Sequence, residues 1–344
     1  MSKLISFAVP SYNSQAYLNK CIDSLLVGGD DVEIIIVNDG SKDNTAAIAD
    51  EYAAKYPDIV KAVHKPNGGH GSGVNKGIEL ATGLFYKVVD SDDWVDATAL
   101  KKIISVLKEH VAKGEQADLY ITNFVYEHVE DDTQYVSRYT RYFPTDRFFG
   151  WNESKPLRLW NYVLMHSLMY STELLRKSGM ILPEHTFYVD NIYAYQPIIY
   201  TKKLYYLDVD FYRYYIGRSD QSVTVANMTK RYAQQLRVMR HMLLCHSYDE
   251  IESQPKRLKQ QLYHQLNNIM VTTYFFTTQS DDPERRKGFA DMWRELKEKD
   301  IKLYKKVRSF PLVRFLNGMS WKSKGRLTLS TYKFLTKHVK LGAY

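Results

Sequence analysis

The sequence predicts an α/β protein in which a mostly parallel sheet is flanked by helices and followed by a helical C-terminal appendage. Along the first half of the chain, short apolar runs alternate with amphipathic segments, the pattern of parallel strands joined by crossover helices. Beyond Asn227 the strand signals largely end, and apolar residues recur at helical spacing. The length, 344 residues, suits two domains or one large domain with an appendage, and a composition of 44% hydrophobic and 25% charged residues excludes a disordered chain.

The elements of the first hundred residues or so follow from apolar periodicity and from the residues that interrupt it. Asn13 and Ser14 can cap a helix that runs to about Leu26. A helix from Asn44 must end at Tyr56 because a proline follows. Strands are expected over residues 4–9, 32–38, 59–63 and 84–89, and a short helix over 74–80.

The next part of the chain is less regular. We expect an amphipathic helix over 97–113, a strand over 118–124 and an antiparallel hairpin over 126–142. A helix after Asp190 and strands over 204–207 and 211–215 complete this region. The predicted domains are therefore residues 1–226, made of halves 1–96 and 97–226, and a basic, mainly helical region over 227–344.

Charge is distributed unevenly along the chain. The net charge is +8, yet residues 227–344 hold 24 Lys and Arg against 10 Asp and Glu, and residues 301–344 hold 11 basic residues and no acidic one. Such asymmetry suggests an anionic partner for the C-terminal region, such as nucleic acid, membrane lipid or phosphate. A solvated basic face is the alternative.

The cysteines and the hydropathy pattern bear on the compartment. Cys21 and Cys245 cannot form a disulfide framework, and neither belongs to a C-x-x-C pair, so a reducing compartment and no cysteine zinc site are expected. The N-terminal apolar run is too short for a signal peptide, and the sequence contains no apolar run of about 18 residues. The sequence thus predicts a cytoplasmic protein.

Polar segments follow each of the first four predicted strands. They are residues 9–13, 38–44, 67–73 and 90–93. Open α/β sheets bind ligands at the carboxyl ends of their strands, and packing alone does not explain four polar clusters at equivalent positions. These segments predict one ligand site.

The acidic segment indicates a cation. Asp90, Asp92 and Asp93 place like charges close together, which is unfavourable unless a cation compensates them. Carboxylates in an Asp-x-Asp pattern suit a hard divalent ion, Mg²⁺ or Mn²⁺, which also holds phosphate oxygens. A turn that caps the helix after Asp96 is the structural alternative.

The glycine-rich segment is less specific. Gly68, Gly69, Gly71 and Gly73 allow a ligand to approach the backbone before a helix N-terminus, which favours phosphate, but a plain flexible loop has the same composition. The segment is neither a G-x-G-x-x-G motif nor a P-loop. Asp39 is either a turn residue or a carboxylate that accepts a hydrogen bond from a nucleobase.

Together these motifs resemble glycosyltransferase family 2, whose members have the GT-A fold. The resemblance is carried by Pro-x-Tyr-Asn at 10–13, Val-Asn-Asp-Gly-Ser-x-Asp at 37–43, Asn-Gly-Gly at 67–69 with Asn-x-Gly-Ile at 75–78, and Asp-Ser-Asp-Asp-Trp at 90–94. It covers roughly residues 4–96 closely and extends weakly to about residue 225. It implies a nucleotide-sugar half over 1–96 and an acceptor half over 97–226.

The resemblance also implies roles for individual residues. Tyr12 would stack on uracil, and Asp39 would accept from the N–H of that ring. Asp90 would contact ribose or sugar, and Asp92 would ligate the metal. The full set implied to bind the nucleotide-sugar is Pro10, Tyr12, Asn13, Asp39, Asn67, Gly68, Gly69, His70, Lys76, Asp90, Ser91 and Arg218. Many family members carry an arginine before the asparagine at 75, where this chain has Val74, and His70 or Lys76 would substitute.

The catalytic base would lie outside these loops. Inverting transfer is a single displacement in which a carboxylate takes the proton of the attacking hydroxyl. Family members often carry Glu-Asp near position 190, and here the sequence has Val189 and Asp190, so Asp190 is the expected base. A helix N-cap is the structural alternative for Asp190, and Glu184 is the reserve candidate. Arg218 would bind diphosphate when a lid becomes ordered, or form a surface ion pair.

The resulting expectation is a metal-dependent inverting enzyme that moves a hexose from a UDP-sugar to a hydroxyl of a bacterial surface glycan. The acceptor would be lipid-linked or protein-linked. A nucleotidyltransferase would need a basic glycine-rich motif close to the N-terminus, which residues 9–13 do not form. A non-catalytic scaffold that uses its basic tail is the other alternative.

The tail of residues 301–344 mixes basic and large apolar residues. That mixture suits an anionic membrane surface, which would place the enzyme peripherally at the inner face of the membrane. Packing within the protein's own core or in a homo-oligomer is the competing interpretation. Nucleic acid fits less well, because no base-reading motif accompanies the charge.

Overall fold

A computed structural model describes residues 3–128, 133–158, 161, 163–216 and 225–338, with side chains placed as far as residue 331. Packing divides the chain into two compact units. Unit 1 comprises Met1–Lys155, Val163–His185 and Tyr200–Ile216, and unit 2 comprises Pro156–Tyr162, Thr186–Ile199 and Gly217–Tyr344. Unit 2 therefore includes a segment around residue 190 that precedes the boundary predicted at residue 226. That boundary remains a prediction.

The described residues of unit 1 form one sheet of ten strands. The strands are β1 (Ile5–Ser11), β2 (Val32–Asn38), β3 (Val60–His64), β4 (Phe85–Val88), β5 (Trp94–Val95), β6 (Leu119–His128), β7 (Gln134–Ser137), β8 (Phe148–Phe149), β9 (Leu168–Ser171) and β10 (Leu204–Ile216). Their order is β3-β2-β1-β4-β9-β6-β10-β5, with β7 beside β6 and β8 beside β10. β1 and β2 are buried along their whole length, which explains their nearly continuous apolar sequences.

The sheet is mixed, and its parallel part coincides with the motif-bearing residues. Strands β3, β2, β1 and β4 are all parallel, whereas β9 runs antiparallel between β4 and β6. The predicted hairpin is confirmed as the antiparallel pair β6 and β7. The two strands predicted near residue 210 form the single strand β10, whose register against β6 shifts between Leu207 and Tyr212.

Five helices belong to unit 1. They are α1 (Leu18–Leu26), α2 (Thr45–Lys55), α3 (His70–Leu80), α4 (Ala97–Ala112) and α5 (Thr172–Lys177). Asp96 caps α4 through its side chain, as the sequence suggested. α3 begins four residues earlier than expected and lies very close to the sheet. A Cβ on Gly77 would come within 2.5 Å of Ala8 Cβ, so only glycine permits this contact.

Unit 2 is helical, which confirms the predicted appendage. Its helices are α6 (Asp190–Tyr195), α7 (Val225–Lys230), α8 (Tyr232–Leu244), α9 (Tyr248–Glu252), α10 (Lys256–Thr278), α11 (Pro283–Lys299), α12 (Ile301–Arg308), α13 (Pro311–Asn317) and α14 (Trp321–His338). The tail packs into this unit, because Leu303, Val307, Val313 and Leu316 are buried. Among the described residues, no helix is both long and apolar enough to cross a membrane.

Candidate active site

The four polar segments at the strand ends are joined to one another by hydrogen bonds. Between the first and second, Asn13 N donates to Ser41 Oγ (3.0 Å) and Lys42 N donates to Asn13 Oδ1 (2.9 Å). The fourth segment contacts the residue that directly follows the first, because the hydroxyls of Ser91 and Ser14 are 2.6 Å apart. The structure therefore brings the predicted segments together at one edge of the sheet.

The second segment meets the third at Asp39, whose side chain is buried. Its Oδ1 accepts from Gly68 N (2.9 Å) and its Oδ2 from Gly69 N (2.7 Å). Lys65 Nζ lies 2.6 Å from Oδ1, and Ser72 Oγ lies 3.3 Å from it. Burying a carboxylate is costly unless it is paired and hydrogen-bonded, and these four donors meet that requirement.

The turn that carries Asp39 depends on glycine. Gly40 adopts a φ of +71°, which favours glycine, and a Cβ there would lie 2.9 Å from the backbone nitrogen of Asn67. Asn67 in turn donates from Nδ2 to the carbonyl oxygen of Asp39 (2.9 Å). The Asp-Gly pair and the distant asparagine thus form one local structure that fixes the Asp39 carboxylate.

The third segment meets the fourth through a contact between a histidine and a carboxylate. His70 Nε2 lies 2.7 Å from Asp90 Oδ1. Burial raises the pKa of Asp90, but the charge and hydrogen bond of His70, together with His166 and Lys87, outweigh it and leave that pKa below its usual value. Asp90 is therefore ionised at neutral pH.

The neighbouring Asp93 has a structural environment. It is 1% exposed, and its oxygens accept from Tyr212 Oη (2.6 Å) and Tyr215 N (2.8 Å). Burial, together with the charges of Asp92 and Asp90, raises the pKa of Asp93 well above its usual value. Tyr212 Oη also accepts from Asp90 N (3.1 Å), so this tyrosine connects the two aspartates.

A lysine and a histidine lie buried beneath the acidic segment. Lys87 Nζ donates to the carbonyl oxygens of His166 (2.7 Å) and Leu168 (3.3 Å), and burial lowers the pKa of Lys87 to about 7 despite the attraction of Asp90. The His166 ring stacks on Tyr214 with centroids 4.4 Å apart. Burial lowers the pKa of His166 to about 4, so the imidazole is neutral at physiological pH.

The donor set at this edge fits a divalent cation. Ligand atoms of Asp90, Asp93 and His166 lie within 4.8 Å of one another. The buried Nδ1 of His166 has no hydrogen-bond partner among the described residues. Both oxygens of Asp93 already accept hydrogen bonds, whereas Asp92, the ligand predicted from the sequence, is half-buried at the same turn. The predicted role of Asp92 remains a prediction.

The segment 182–185 is fastened to the glycine-rich segment and α3. Asn75 Nδ2 donates to Leu182 O (2.9 Å), and Leu182 N donates to Asn75 Oδ1 (2.9 Å). A Cβ on Gly71 would lie 2.9 Å from the carbonyl oxygen of Pro183, and His185 N donates to Gly68 O (2.6 Å). The sequence motif that contains Asn75 thus holds a segment more than a hundred residues away, which sequence spacing did not reveal.

Other predicted ligand-binding residues occupy varied positions. Tyr12 is 49% exposed beside the site, whereas Pro10 is buried at the end of β1. Lys76 lies on α3 and forms an ion pair with Glu79 (2.6 Å). Arg218 lies outside the described residues.

The predicted base, Asp190, belongs to unit 2. It is the first residue of α6, and Val189 rather than Asp190 is the N-cap. The preceding residues are anchored within unit 2: the Arg231 guanidinium lies 3.6 Å from the Phe187 ring centroid, and Gln234 Oε1 accepts from Phe187 N (2.9 Å). The described residues predicted to bind the nucleotide-sugar, by contrast, belong to unit 1.

Sequence reasoning missed Lys65 and Lys87, and for His166 it left open a contact to diphosphate or acceptor and a purely structural role. Lys87 interrupts the otherwise apolar strand β4, and a charge at such a position is itself a signal of a buried ionic contact. Lys65 directly follows β3, at the same edge as the other polar segments. No local feature distinguished His166, because its neighbours come from Lys87 and from β10, which are distant in sequence.

Comparison with known proteins agrees with this geometry. Residues 6–168 match the family model described as glycosyl transferase family 2. The chain is 40% identical over 124 residues to the putative glycosyltransferase EpsH of Bacillus subtilis, covering 36% of this chain and 34% of EpsH. It is 34% identical over 108 residues to the minor teichoic acid biosynthesis protein GgaB of the same organism, covering 30% of this chain and 12% of GgaB. The matched part thus spans about a third or less of these relatives.

Among solved structures, the fold resembles that of Staphylococcus aureus TarS residues 1–349 in complex with UDP-GlcNAc. The TM-score is 0.66 at 18% identity, over 96% of this chain and 91% of the TarS chain. The likeness therefore extends through both the sheet and the helical region, and at this identity it bears on the fold. The chain therefore contains a domain over residues 6–168 that matches glycosyltransferase family 2, and its fold is of the GT-A type.

Proposed function

We propose that the chain is a metal-dependent inverting glycosyltransferase that moves a hexose from a UDP-sugar to a hydroxyl of a growing bacterial surface glycan. The observation that carries the proposal is the hydrogen-bonded connection of all four strand-end segments, which gathers Asp39, His70 and Asp90 at one sheet edge. Open α/β sheets bind nucleotides at this edge. TarS, which shares the fold, was solved with UDP-GlcNAc and with UDP.

The uracil-facing role falls to Tyr12 and Asp39. Tyr12 is exposed at the end of β1 and presents an aromatic surface on which a base can stack. Asp39 is held rigidly by Gly68 N, Gly69 N and Lys65, so its carboxylate is preorganised without further ordering cost. A carboxylate oxygen at a fixed position selects for a ring N–H that donates to it, and uracil supplies such a group.

In this proposal the acidic segment, residues 90–93, lies at the diphosphate end of the UDP-sugar. Asp92, with Asp90 and His166, would hold Mn²⁺ or Mg²⁺, which neutralises charge on the leaving diphosphate when bound. Ionised Asp90 and neutral His166 are in the protonation states that ligate cations at neutral pH. Asp93 positions the turn through its bonds to Tyr212 and Tyr215.

Asp190 serves as the base in this proposal. Its carboxylate takes the proton of the acceptor hydroxyl as that oxygen attacks the anomeric carbon, and the bond to UDP breaks on the opposite face. Asp190 lies in the first turn of α6, where an acidic side chain interacts favourably with the helix dipole. Glu184, exposed in the segment 182–185, is the second candidate for this role.

The relatives support one class of acceptor. GgaB is a minor teichoic acid biosynthesis protein, which supports a surface glycan as the product of this chain as well. We propose a lipid-linked or protein-linked saccharide as the acceptor, a cytoplasmic enzyme that works peripherally at the inner face of the membrane, and a homo-oligomer formed through the C-terminal region.

A donor-hydrolysis assay tests the proposal without a known acceptor. UDP-glucose, UDP-galactose and UDP-N-acetylglucosamine are each incubated with the protein and Mn²⁺, with and without chelator, and UDP release is measured. We expect metal-dependent release from at least one UDP-sugar and none from GDP-mannose. The proposal would be overturned if calorimetry detects no binding of UDP and no UDP is released from any donor.

A further inference from the structure

A shallow cavity with a basic lining, largely open to solvent, lies in unit 2 within the described part of the C-terminal tail. Its volume is about 560 Å³, and α12, α13 and the turns that follow them line it. Three of the lining side chains are cationic: Lys305, Arg308 and Arg314. None of the described lining residues is acidic, so the cavity concentrates positive charge.

Carboxylates do not neutralise these three cations among the described residues. The structure shows no carboxylate oxygen of a described residue within 4.0 Å of them, and two acidic residues of the same unit have other partners. Asp249 pairs with Lys302 at 3.0 Å, and Asp300 caps α12 by accepting from Leu303 N at 2.8 Å. Like charges brought together without counter-charges repel one another, which a bound anion would relieve.

Aromatic side chains hold one of the cations in place. The Arg308 guanidinium lies 5.7 Å from the ring centroid of Trp293 and 5.4 Å from that of Tyr304, and its Nη1 donates to Tyr304 Oη (3.0 Å). Cation–π contacts fix the guanidinium without neutralising its charge. Its remaining N–H donors are therefore oriented by uncharged neighbours.

An amide in the lining also has an unsatisfied donor. Asn317 Oδ1 accepts from Tyr274 Oη at 2.6 Å, which fixes the amide, while its Nδ2 is shielded from solvent and has no hydrogen-bond partner among the described residues. Buried donors without partners are costly and rare in folded proteins. The cavity thus combines three cations with an amide donor that lacks an acceptor.

We propose that this cavity binds the phosphate group of an anionic lipid headgroup. Guanidinium groups and oriented N–H donors match the oxygens of phosphate, and Lys305 adds a compact charge at the rim. Phe315, which is 58% exposed, shares one face of α13 with Pro311 and Arg314. An exposed phenylalanine beside a basic pocket suits a bilayer surface, where the ring enters the apolar layer as the pocket engages the headgroup. The inference does not depend on glycosyl transfer.

Vesicle sedimentation with matched variants tests this site. The full chain is mixed with phosphatidylcholine vesicles that contain one third phosphatidylglycerol, and with phosphatidylcholine vesicles that carry oleate at the same surface charge. We compare Lys305→Gln/Arg314→Gln, which changes the rim, with Lys322→Gln/Arg326→Gln, which removes one exposed lysine and one exposed arginine of α14 outside the cavity. Circular dichroism melts verify that both double variants fold.

We expect binding to phosphatidylglycerol vesicles to weaken roughly 30-fold in the rim variant and clearly less in the control, since each basic residue at an anionic surface contributes a factor of about five. Inorganic phosphate, at constant ionic strength, should compete with the vesicles for the wild-type chain. Equal weakening by the two variants, equal binding to oleate vesicles, or no vesicle binding at all would each overturn the proposal. Phosphate binding without vesicle binding would also overturn it.

Discussion

The two units handle charge in opposite ways. At the edge of the sheet in unit 1, Asp39, Asp93 and Lys87 are almost completely buried, and each is surrounded by named donors or acceptors. In the tail of unit 2, Lys305 and Arg314 are exposed and have no carboxylate partner among the described residues. A buried charge is tolerated only with fixed partners, so the sheet edge has the geometry for chemistry, whereas exposed charge suits reversible binding.

The strongest test of this comparison is the acidic segment. Asp92→Asn should lower the rate of UDP-sugar turnover about 1,000-fold or more, because loss of a metal ligand removes several kcal/mol of charge stabilisation. Asp58→Asn, which changes an exposed carboxylate of the same unit, should leave the rate unchanged. Steady-state UDP release in Mn²⁺ measures both variants. Normal turnover by Asp92→Asn, or by the wild type in excess chelator, would contradict the metal assignment.

The contrast applies to the tail of unit 2, and Asp190 tests whether another segment of that unit contributes chemistry, as we propose. Asp190→Asn should preserve UDP binding in calorimetry and lower the rate of transfer 100- to 10,000-fold, the typical contribution of a general base. Glu184→Gln should change the rate little. If Glu184→Gln instead abolishes transfer while Asp190→Asn does not, the base belongs to unit 1 and unit 2 has only a binding role.

A third prediction concerns the cost of the buried histidine. His166 stays neutral in the folded protein to about pH 4, whereas the histidine of an unfolded chain takes up a proton near pH 6.5. Between these values the unfolded state binds the additional proton, so the free energy of unfolding falls as the pH is lowered from 6.5 to 4. This group alone contributes a decrease of about 3 kcal/mol.

His166→Phe should remove that decrease, because phenylalanine keeps the stacking on Tyr214 and does not titrate. Urea unfolding followed by circular dichroism between pH 4 and pH 7 measures the difference in stability between variant and wild type. We expect the variant to gain about 3 kcal/mol relative to wild type on acidification. Parallel stability curves would show that His166 is not held neutral by burial.

Most of the N-terminal half could be predicted from sequence because its signals are local. Strand β2 is buried throughout and therefore reads as an apolar run, and Pro57 ends α2 by steric exclusion. The mixed order of the second half could not be derived, because the antiparallel position of β9 depends on contacts between strands far apart in sequence. The sequence predicts a break within β10, because polar residues such as Asp208 and Asp210 are typical of a loop. In the structure the strand is continuous there, and its register against β6 shifts.

The candidate site shows the same division. Asp39 and the acidic segment could be predicted because their residue types, glycine neighbours and positions after apolar strands are visible in a few consecutive residues of the sequence. Lys65 as the partner of Asp39, and Asn75 as the clamp on Leu182, could not, since a hydrogen-bond partner leaves no periodic signal. The prediction of a basic tail was compositional, and only the structure separates its buried apolar residues from its exposed cations.

The smallest expected effect comes from an exposed residue at the sheet edge. Tyr12→Ala should weaken UDP binding about tenfold, because aromatic stacking on a base contributes about 1–3 kcal/mol and this ring is half in solvent. Tyr135→Ala is the matched control, since Tyr135 is 52% exposed in the same unit but lies on β7, away from the parallel strand ends. Calorimetric titration of both variants with UDP gives the two dissociation constants. Equal affinities of the two variants would show that Tyr12 is exposed but does not stack on the base. Recognition of the nucleobase would then fall to the buried Asp39, and the contrast between buried and exposed groups would be sharper still.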